Sequence, residues 1–199
     1  MAGVSAILLG AGESSRMGQH KALLPWHGRP LLQYQIASLA QAGVQETIVV
    51  LGADAVRLAP FVRGPGNLVV LINPSWPQGK TTSLILGMRE VSRWATGILV
   101  LAVDQPRPPE VLARLVELHQ RQAPLIVLPV FQGRRGHPPI FHRILLPELL
   151  EVREESKGLH AVVERHRAET VEIPIDSPIV LADLNTPQDY QEARKRYGA

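Results

Sequence analysis

The sequence predicts an α/β fold in three layers, a mostly parallel sheet with helices on both faces. Two observations predict it. Five short runs, Val4–Leu9, Thr47–Leu51, Leu68–Ile72, Ile98–Val103 and Leu125–Val130, are dominated by Val, Ile and Leu with almost no polar alternation. Strands buried on both faces read this way. Amphipathic stretches lie between these runs, and strands that alternate with helices build parallel sheets through right-handed crossovers.

Taken in order, Val4–Leu9 is the first strand and Leu31–Ala42 the first helix. Thr47–Leu51 and Leu68–Ile72 follow as strands, then a helix over Thr82–Trp94 and the strand Ile98–Val103. The helix Pro109–Gln122 starts with a proline, which the first helical turn tolerates, and aligns Val111, Leu112, Leu115 and Leu118 on one face. Leu125–Val130 closes the regular alternation. Gly133, Gly136, Pro138 and Pro139 then punctuate the chain before helices at Gly158–Arg167 and Thr186–Tyr197, with Glu172–Pro174 and Pro178–Leu181 as short extra strands. The 17 prolines are scattered through connections, and neither a repeat nor a linker interrupts the 199 residues. One domain over 1–199 is the expectation, since domains run to roughly 100–200 residues.

Composition removes whole classes of function. There is no cysteine, so disulfide scaffolds, thiolate nucleophiles, iron–sulfur clusters and Cys-ligated zinc are excluded. Val4–Leu9 is too short to span a bilayer and lacks a basic lead-in, and no later apolar run reaches the roughly 18 residues a membrane helix needs. A cytoplasmic protein without membrane association is expected. The net charge of +3 is mild and suits small anions at least as well as a nucleic-acid backbone. His20, His27, His119, His142, His160 and His166 show no zinc spacing with partner carboxylates and read as structural.

The loop after the first strand, Leu9 to Lys21, is the most informative stretch. It lies where ligands bind in open α/β sheets, its glycines let backbone N–H groups approach a phosphate, and Arg16 and Lys21 add fixed positive charge. It is not a dinucleotide fingerprint, because Ser15 stands at the third glycine and Trp26–Leu32 holds no acidic residue. Gly79-Lys80-Thr81, with Asp104 ending a later strand, imitates a P-loop, but Pro74 stands where that motif requires glycine.

In series, these residues resemble the MobA-like NTP transferases. Leu9 to Lys21 is similar to that family's L-A-A-G-x-S-x-R-M-G-x-x-K, with Gly10 for the first of its two alanines. Leu23-Leu24-Pro25, Gly28, Pro30-Leu31-Leu32, the segment Asn73–Gly87, Asp104-Gln105-Pro106, Gly136-His137-Pro138 with Phe141, and Asp183-Leu184-Asn185-Thr186-Pro187 continue the resemblance in order along nearly the whole chain. The family implies a Rossmann-like sheet of the nucleotide-diphospho-sugar transferase type. Asp-Gln-Pro together with Gly-His-Pro is most similar to the molybdenum cofactor cytidylyltransferase branch.

The implied reaction joins a nucleoside monophosphate, from an NTP with CTP favoured, to the terminal phosphate of a molybdopterin-type acceptor, with release of pyrophosphate. A phosphate monoester is largely dianionic near neutral pH, its second pKa being about 6, so no serine nucleophile or histidine base is required. The resemblance assigns the nucleotide to Leu9, Gly10, Ala11, Gly12, Arg16, Met17, Gly18, Lys21, Gly79 and Ser83. It assigns catalysis to Arg16, Lys21 and Asp104, and Mg²⁺ to Asp104 and Asn185, with Asp183 the competing ligand. Arg134, Arg135 and His137 become contacts for the acceptor, and a molybdoenzyme or its chaperone a partner.

Plainer readings stand beside these. Asp104 could cap the helix that begins near Pro109, Arg134, Arg135 and His137 could form a solvated loop, and Ser83 could be a helix-surface hydroxyl. Trp26, Trp76 and Trp94 read as packing residues, with Trp76 also a candidate to line the nucleoside pocket. GTP-dependent transfer to the same cofactor, transfer to a sugar phosphate, and a non-catalytic nucleotide-binding partner of a molybdoenzyme are the rival functions.

Overall fold

The five strands that the long apolar runs predict are all present. The computed structural model describes residues 3–13, 17–155 and 158–199. The elements run β1 (Gly3–Gly10), the small hairpin β2 (Pro25–Trp26) and β3 (Arg29–Pro30), α1 (Leu31–Gln41), β4 (Glu46–Leu51), α2 (Ala55–Leu58), β5 (Asn67–Ile72), α3 (Lys80–Arg89) and β6 (Ala95–Ala102). They continue with α4 (Pro109–Gln122), β7 (Ile126–Phe131), β8 (Arg134–Arg135), β9 (Ile140–His142), α5 (Leu146–Leu149), α6 (Leu159–Arg165), β10 (Thr170–Pro174) and α7 (Pro187–Tyr197).

The main sheet has the order β10-β7-β9-β6-β1-β4-β5, with β8 paired to β7. β1 runs parallel to β4 and β6, β4 to β5, and β10 to β7, while β9 is antiparallel to both β6 and β7. The chain leaves β1 for β4 and β5 on one side and returns to β6 on the other. That reversal opens a crevice beyond the carboxyl ends of β1 and β6, the place where open α/β sheets hold ligands.

The lack of alternation in the strands has a direct cause. Val4, Ala6 and Leu8 of β1 pack with Leu32, Ile36 and Leu39 of α1 and Leu112, Leu115 and Val116 of α4. Ile7 and Leu9 point the other way, onto Leu84 and Met88 of α3, Leu149 of α5 and Val162 of α6. Each face of the strand is therefore a core face. A third cluster joins Met17, Leu24 and Trp26 to Tyr190 and Ala193 of α7.

Four of the predicted elements change most. The helix expected over Thr82–Trp94 starts at Lys80 and ends at Arg89. Ser92 is drawn out of it by the buried carboxylate of Glu46, which accepts from the Ser92 amide (3.2 Å), its hydroxyl (2.6 Å) and the Ser5 hydroxyl (2.6 Å). Trp94 consequently lies outside the helix, half exposed over Gly3, where a Cβ would collide with its ring. Pro178–Leu181 is a 3₁₀ turn rather than a strand, since Ser177 caps it and the Val180 carbonyl is claimed by a buried arginine. At the end of the chain Thr186 is the cap of α7 and not its first residue. Its hydroxyl accepts from the Asp189 amide (3.1 Å), and the Asp189 carboxylate accepts from the Thr186 amide (2.7 Å). α6, expected over Gly158–Arg167, is shorter and spans Leu159–Arg165, the next residues Arg167–Glu169 forming a 3₁₀ turn.

His119, in the last turn of α4, is fully buried, and neither ring nitrogen has a hydrogen-bond partner among the described residues. A Cβ at Gly97 would approach its Nε2 to 2.6 Å, so glycine in β6 makes room for the ring. Burial, reinforced by the neighbouring His142, lowers its pKa to about 4. The unfolded chain, with histidine near 6.5, therefore takes up this proton first as pH falls. Stability is lost from about pH 6.5 downward and the loss levels off below about pH 4, amounting to roughly 2 kcal/mol by pH 5. His119→Leu is expected to flatten the urea midpoint between pH 7.5 and 5. An unchanged pH dependence would refute this assignment.

Candidate active site

Residues from four separate segments meet beyond the carboxyl ends of β1 and β6. The backbone Gly10–Glu13 leaves β1 across Gly52, whose missing side chain admits both the Ala11 carbonyl and Trp76; a Cβ there would sit 2.8 Å from the one and 2.7 Å from the other. The Ala53 amide donates to the Ala11 carbonyl (3.0 Å) and fixes the loop's entry. A cavity of about 380 Å³ opens here.

Leu9, Gly10, Ala11, Gly12, Lys21, Gly79, Ser83, Asp104 and Asn185 all line this cavity. Met17 and Gly18 do not: Met17 is buried in the third core cluster, and exposed Gly18 has φ +68° in the turn. Arg16 lies outside the described residues. Trp76 lines the cavity as its alternative reading anticipated, whereas Trp26 is buried packing.

The electrostatic centre is Lys21. It opens a 3₁₀ turn, Lys21–Leu23, capped by His20, whose Nδ1 accepts from the Ala22 amide (3.3 Å). Its ammonium donates to Asp104 Oδ2 (2.8 Å) and to Asn185 Oδ1 (3.0 Å). Asp183 faces elsewhere and accepts from Gln105 Nε2 (2.7 Å). Asp104 does not cap α4, because the cap position is Pro108 and no side chain bonds to it. His20, read from sequence as structural, both caps the turn and lines the cavity, and burial lowers its pKa against the opposing charge of Asp54.

The donor set suits a hard cation. A carboxylate oxygen and an amide oxygen converge on one positively charged atom, which is how oxygen ligands hold Mg²⁺ or Mn²⁺ with the remaining positions left to water and phosphate. Among the described residues no three His, Asp or Glu side chains gather to hold a metal by themselves.

Two buried polar residues that sequence reasoning missed hold this geometry. Gln35 of α1 donates to the Gln105 carbonyl (2.5 Å) and accepts from the Arg107 amide (3.1 Å). Arg107, fully buried, donates to the carbonyls of His137 (2.8 Å), Pro106 (2.9 Å), Ala182 (3.0 Å) and Val180 (3.0 Å). It thereby ties the segments carrying Asp104, His137 and Asn185. Burial lowers its pKa to about 10, with Asp183 opposing, so it remains charged at neutral pH. The only sequence signal was an arginine directly after Asp-Gln-Pro.

Ser83 is buried, not a surface hydroxyl, and accepts from Asn73 Nδ2 (2.8 Å). The same Asn73 amide reaches Thr82 (2.9 Å), while its oxygen accepts from the Ser75 amide (3.0 Å). Residues Trp76–Gln78 form a 3₁₀ turn ahead of Gly79, so the Gly-Lys-Thr stretch is not a phosphate-wrapping loop.

A second cavity, of about 530 Å³, adjoins the first. Arg135, Gly136 and His137 line it, but exposed Arg134 does not. Neighbours on a strand point to opposite faces, so β8 can offer only one of its two arginines. Arg135 is itself bonded to Glu172 (2.6 Å) and Glu164 (2.9 Å). Burial lowers the pKa of His137, favouring its neutral form.

The sequence profile of the MobA-like NTP transferase domain matches residues 6–171. The chain is 25% identical to the molybdenum cofactor cytidylyltransferase of Escherichia coli (strain K12), over 99% of this chain and 98% of that protein. It is 29% identical to a probable molybdenum cofactor guanylyltransferase of Synechococcus elongatus, over 94% and 96%. The crystal structure of Rv0371c from Mycobacterium tuberculosis H37Rv superposes with a TM-score of 0.85 at 27% identity, covering 98% of both chains. A manganese complex of that protein superposes with a TM-score of 0.78 at 26% identity, covering 96% and 97%.

Proposed function

Because the chain belongs to the MobA-like NTP transferase family, we propose that it is a single-domain nucleotidyltransferase that couples an NTP, CTP in first place, to the terminal phosphate of molybdopterin cofactor and releases pyrophosphate. The observation that carries this reading is the pair of adjoining cavities, one built on the glycine loop with Lys21, Asp104 and Asn185, the other lined by Arg135 and His137. Asp104-Gln105-Pro106 and Gly136-His137-Pro138 support cytosine as the base. The higher identity to a probable guanylyltransferase supports GTP as the second reading.

The acceptor phosphate needs no base, since it is already largely dianionic near neutral pH. The protein's task is then to align two anions and to offset their charge. Arg16 and Lys21 serve the triphosphate, and the backbone of Gly10–Gly12 receives the nucleoside. Asp104 and Asn185 would hold Mg²⁺, which when bound would supply positive charge against the phosphate oxygens. Arg107 and Gln35 keep the ligand-bearing loops in place. Arg135 and His137 border the acceptor. Nothing in this chemistry requires nucleic acid or a membrane, and no helix among the described residues is long and apolar enough to cross one. A cytoplasmic site of action, with hand-over to a molybdoenzyme or its chaperone, completes the reading.

Thermal shifts with CTP, GTP, UTP and ATP in the presence of Mg²⁺ test the donor, because a ligand bound only by the folded state raises its stability. CTP is expected to give the largest shift and to release pyrophosphate with purified molybdopterin. A larger shift with GTP transfers the donor assignment to GTP. Nucleotide binding without pyrophosphate release in the presence of molybdopterin leaves a silent binding protein instead.

A further inference from the structure

Among the described residues the two cavities share three lining residues, Leu9, Lys80 and Ala102. Two of these three are apolar, and the third, Lys80, is charged. If donor and acceptor occupy the two cavities, the new bond must form where they meet. From this juxtaposition we propose that Lys80 is a further catalytic residue, contacting the α-phosphate of the nucleotide from one cavity and the attacking phosphate of the acceptor from the other.

This rests on the transferase reading and extends it. In the step concerned, an oxygen of the acceptor phosphate forms a bond to the α-phosphorus as the bond to the bridging oxygen breaks. The electron pair departs with pyrophosphate, and no proton or redox partner is needed. Two anions must approach each other closely, and negative charge gathers on the α-phosphate oxygens between them. A cation fixed at that point lowers the repulsion along the reaction coordinate.

Among the described residues, the other lysine and arginine side chains bordering the cavities, Lys21 and Arg135, are already engaged. The Lys21 ammonium is bound to Asp104 and Asn185, and Arg135 to Glu164 and Glu172. Lys80 is exposed and forms no ion pair among the described residues. Its backbone position is well defined. Lys80 is the first residue of α3, after Gly79 at φ +119°, a conformation that favours glycine. The amide of the next residue, Thr81, is occupied by Glu154 Oε2 (3.0 Å). The positive group that this end of α3 presents to both cavities is therefore the Lys80 side chain. The Gly-Lys-Thr stretch, which fails as a P-loop, gains a different use.

The test compares Lys80→Met and Lys80→Arg with the wild-type chain in pyrophosphate release from CTP with purified molybdopterin. Lys80→Met is expected to lower kcat by on the order of 100-fold, and Lys80→Arg to retain it within about fivefold. Lys80→Met turning over within about threefold of wild type overturns the proposal, as does equal impairment of both variants, which marks a merely structural role. Melting temperatures should coincide for all three, since the side chain is exposed. A binding arm separates failure of the proposal from failure of the transferase reading. Should the wild-type chain release no pyrophosphate, that reading fails by itself. Tripolyphosphate with Mg²⁺ is then titrated into both chains, and an affinity unchanged by Lys80→Met also overturns the role of Lys80 at the phosphates.

Discussion

Asp104→Asn is expected to reduce turnover roughly 100- to 1,000-fold and to weaken Mn²⁺ binding at least about tenfold. The substitution keeps the shape of the side chain, and the backbone bond from the Leu184 amide to the Asp104 carbonyl (2.9 Å) is untouched. What is lost is one negative charge from the proposed metal site, where neutral Asn185 is the neighbouring donor. Lys21 keeps Asn185 as an acceptor and loses the negative charge of Asp104 beside it. The pair is only partly buried, so the effect on stability should stay within about 2 kcal/mol. Mn²⁺ titration followed by electron paramagnetic resonance, beside pyrophosphate release, distinguishes these effects. Unchanged Mn²⁺ affinity in Asp104→Asn removes Asp104 from the metal site.

Arg107→Met is expected to have the largest effect on stability. It leaves the carbonyls of Pro106, His137, Val180 and Ala182 without their donor in a buried position. A hydrogen bond to a charged group contributes about 1.5–3 kcal/mol, and part of the loss is recovered by not burying the guanidinium and by water entering. A net loss of about 3–5 kcal/mol follows, a large share of the roughly 5–15 kcal/mol by which a domain is stable. For a chain of this length the melting temperature should fall by roughly 6–20 °C. Arg107→Lys should recover only a minor part, because one ammonium cannot span four carbonyls in the geometry of the planar fork. Urea denaturation of the three chains measures the difference, and coincident midpoints would show that the four bonds contribute nothing.

The strands were legible because burial on both faces leaves a continuous apolar signature, as Val4–Leu9 and Thr47–Leu51 show. The glycine loop was legible because Gly10, Gly12 and Lys21 follow one another within a single turn of chain. Arg107 and Glu46 were not. Arg107 serves, besides that of its neighbour Pro106, carbonyls 30 to 75 positions away, and Glu46 joins Ser5 and Ser92, 41 and 46 positions away. Nothing local in a sequence marks a polar side chain for burial at such range. The same blindness explains the overlong helix before Trp94, whose end is set by that distant carboxylate. Met17 shows the opposite failure: it belongs to the motif at Leu9 to Lys21, but its side chain supports the core beneath the loop. Arg134 and Arg135 looked equivalent as neighbours until a two-residue strand placed only one at the cavity.

β9 spans only Ile140–His142 and runs against the strands on either side. A parallel strand in that slot would have begun at the amino-terminal end of the sheet and delivered the residues before it to the wrong side of the molecule. Its reversal brings Gly136 and His137 to the rim where β1 ends. It also confines them to a short excursion between β7 and β9, tied to the rim through the carbonyls of His137 and Val180. The excursion is closely held there, since a Cβ at Gly136 would lie 2.5 Å from the Val180 carbonyl oxygen and the His137 amide donates to that same carbonyl (2.9 Å). One short reversed strand thus sets the proposed acceptor border and the proposed nucleotide border on the same rim of the sheet.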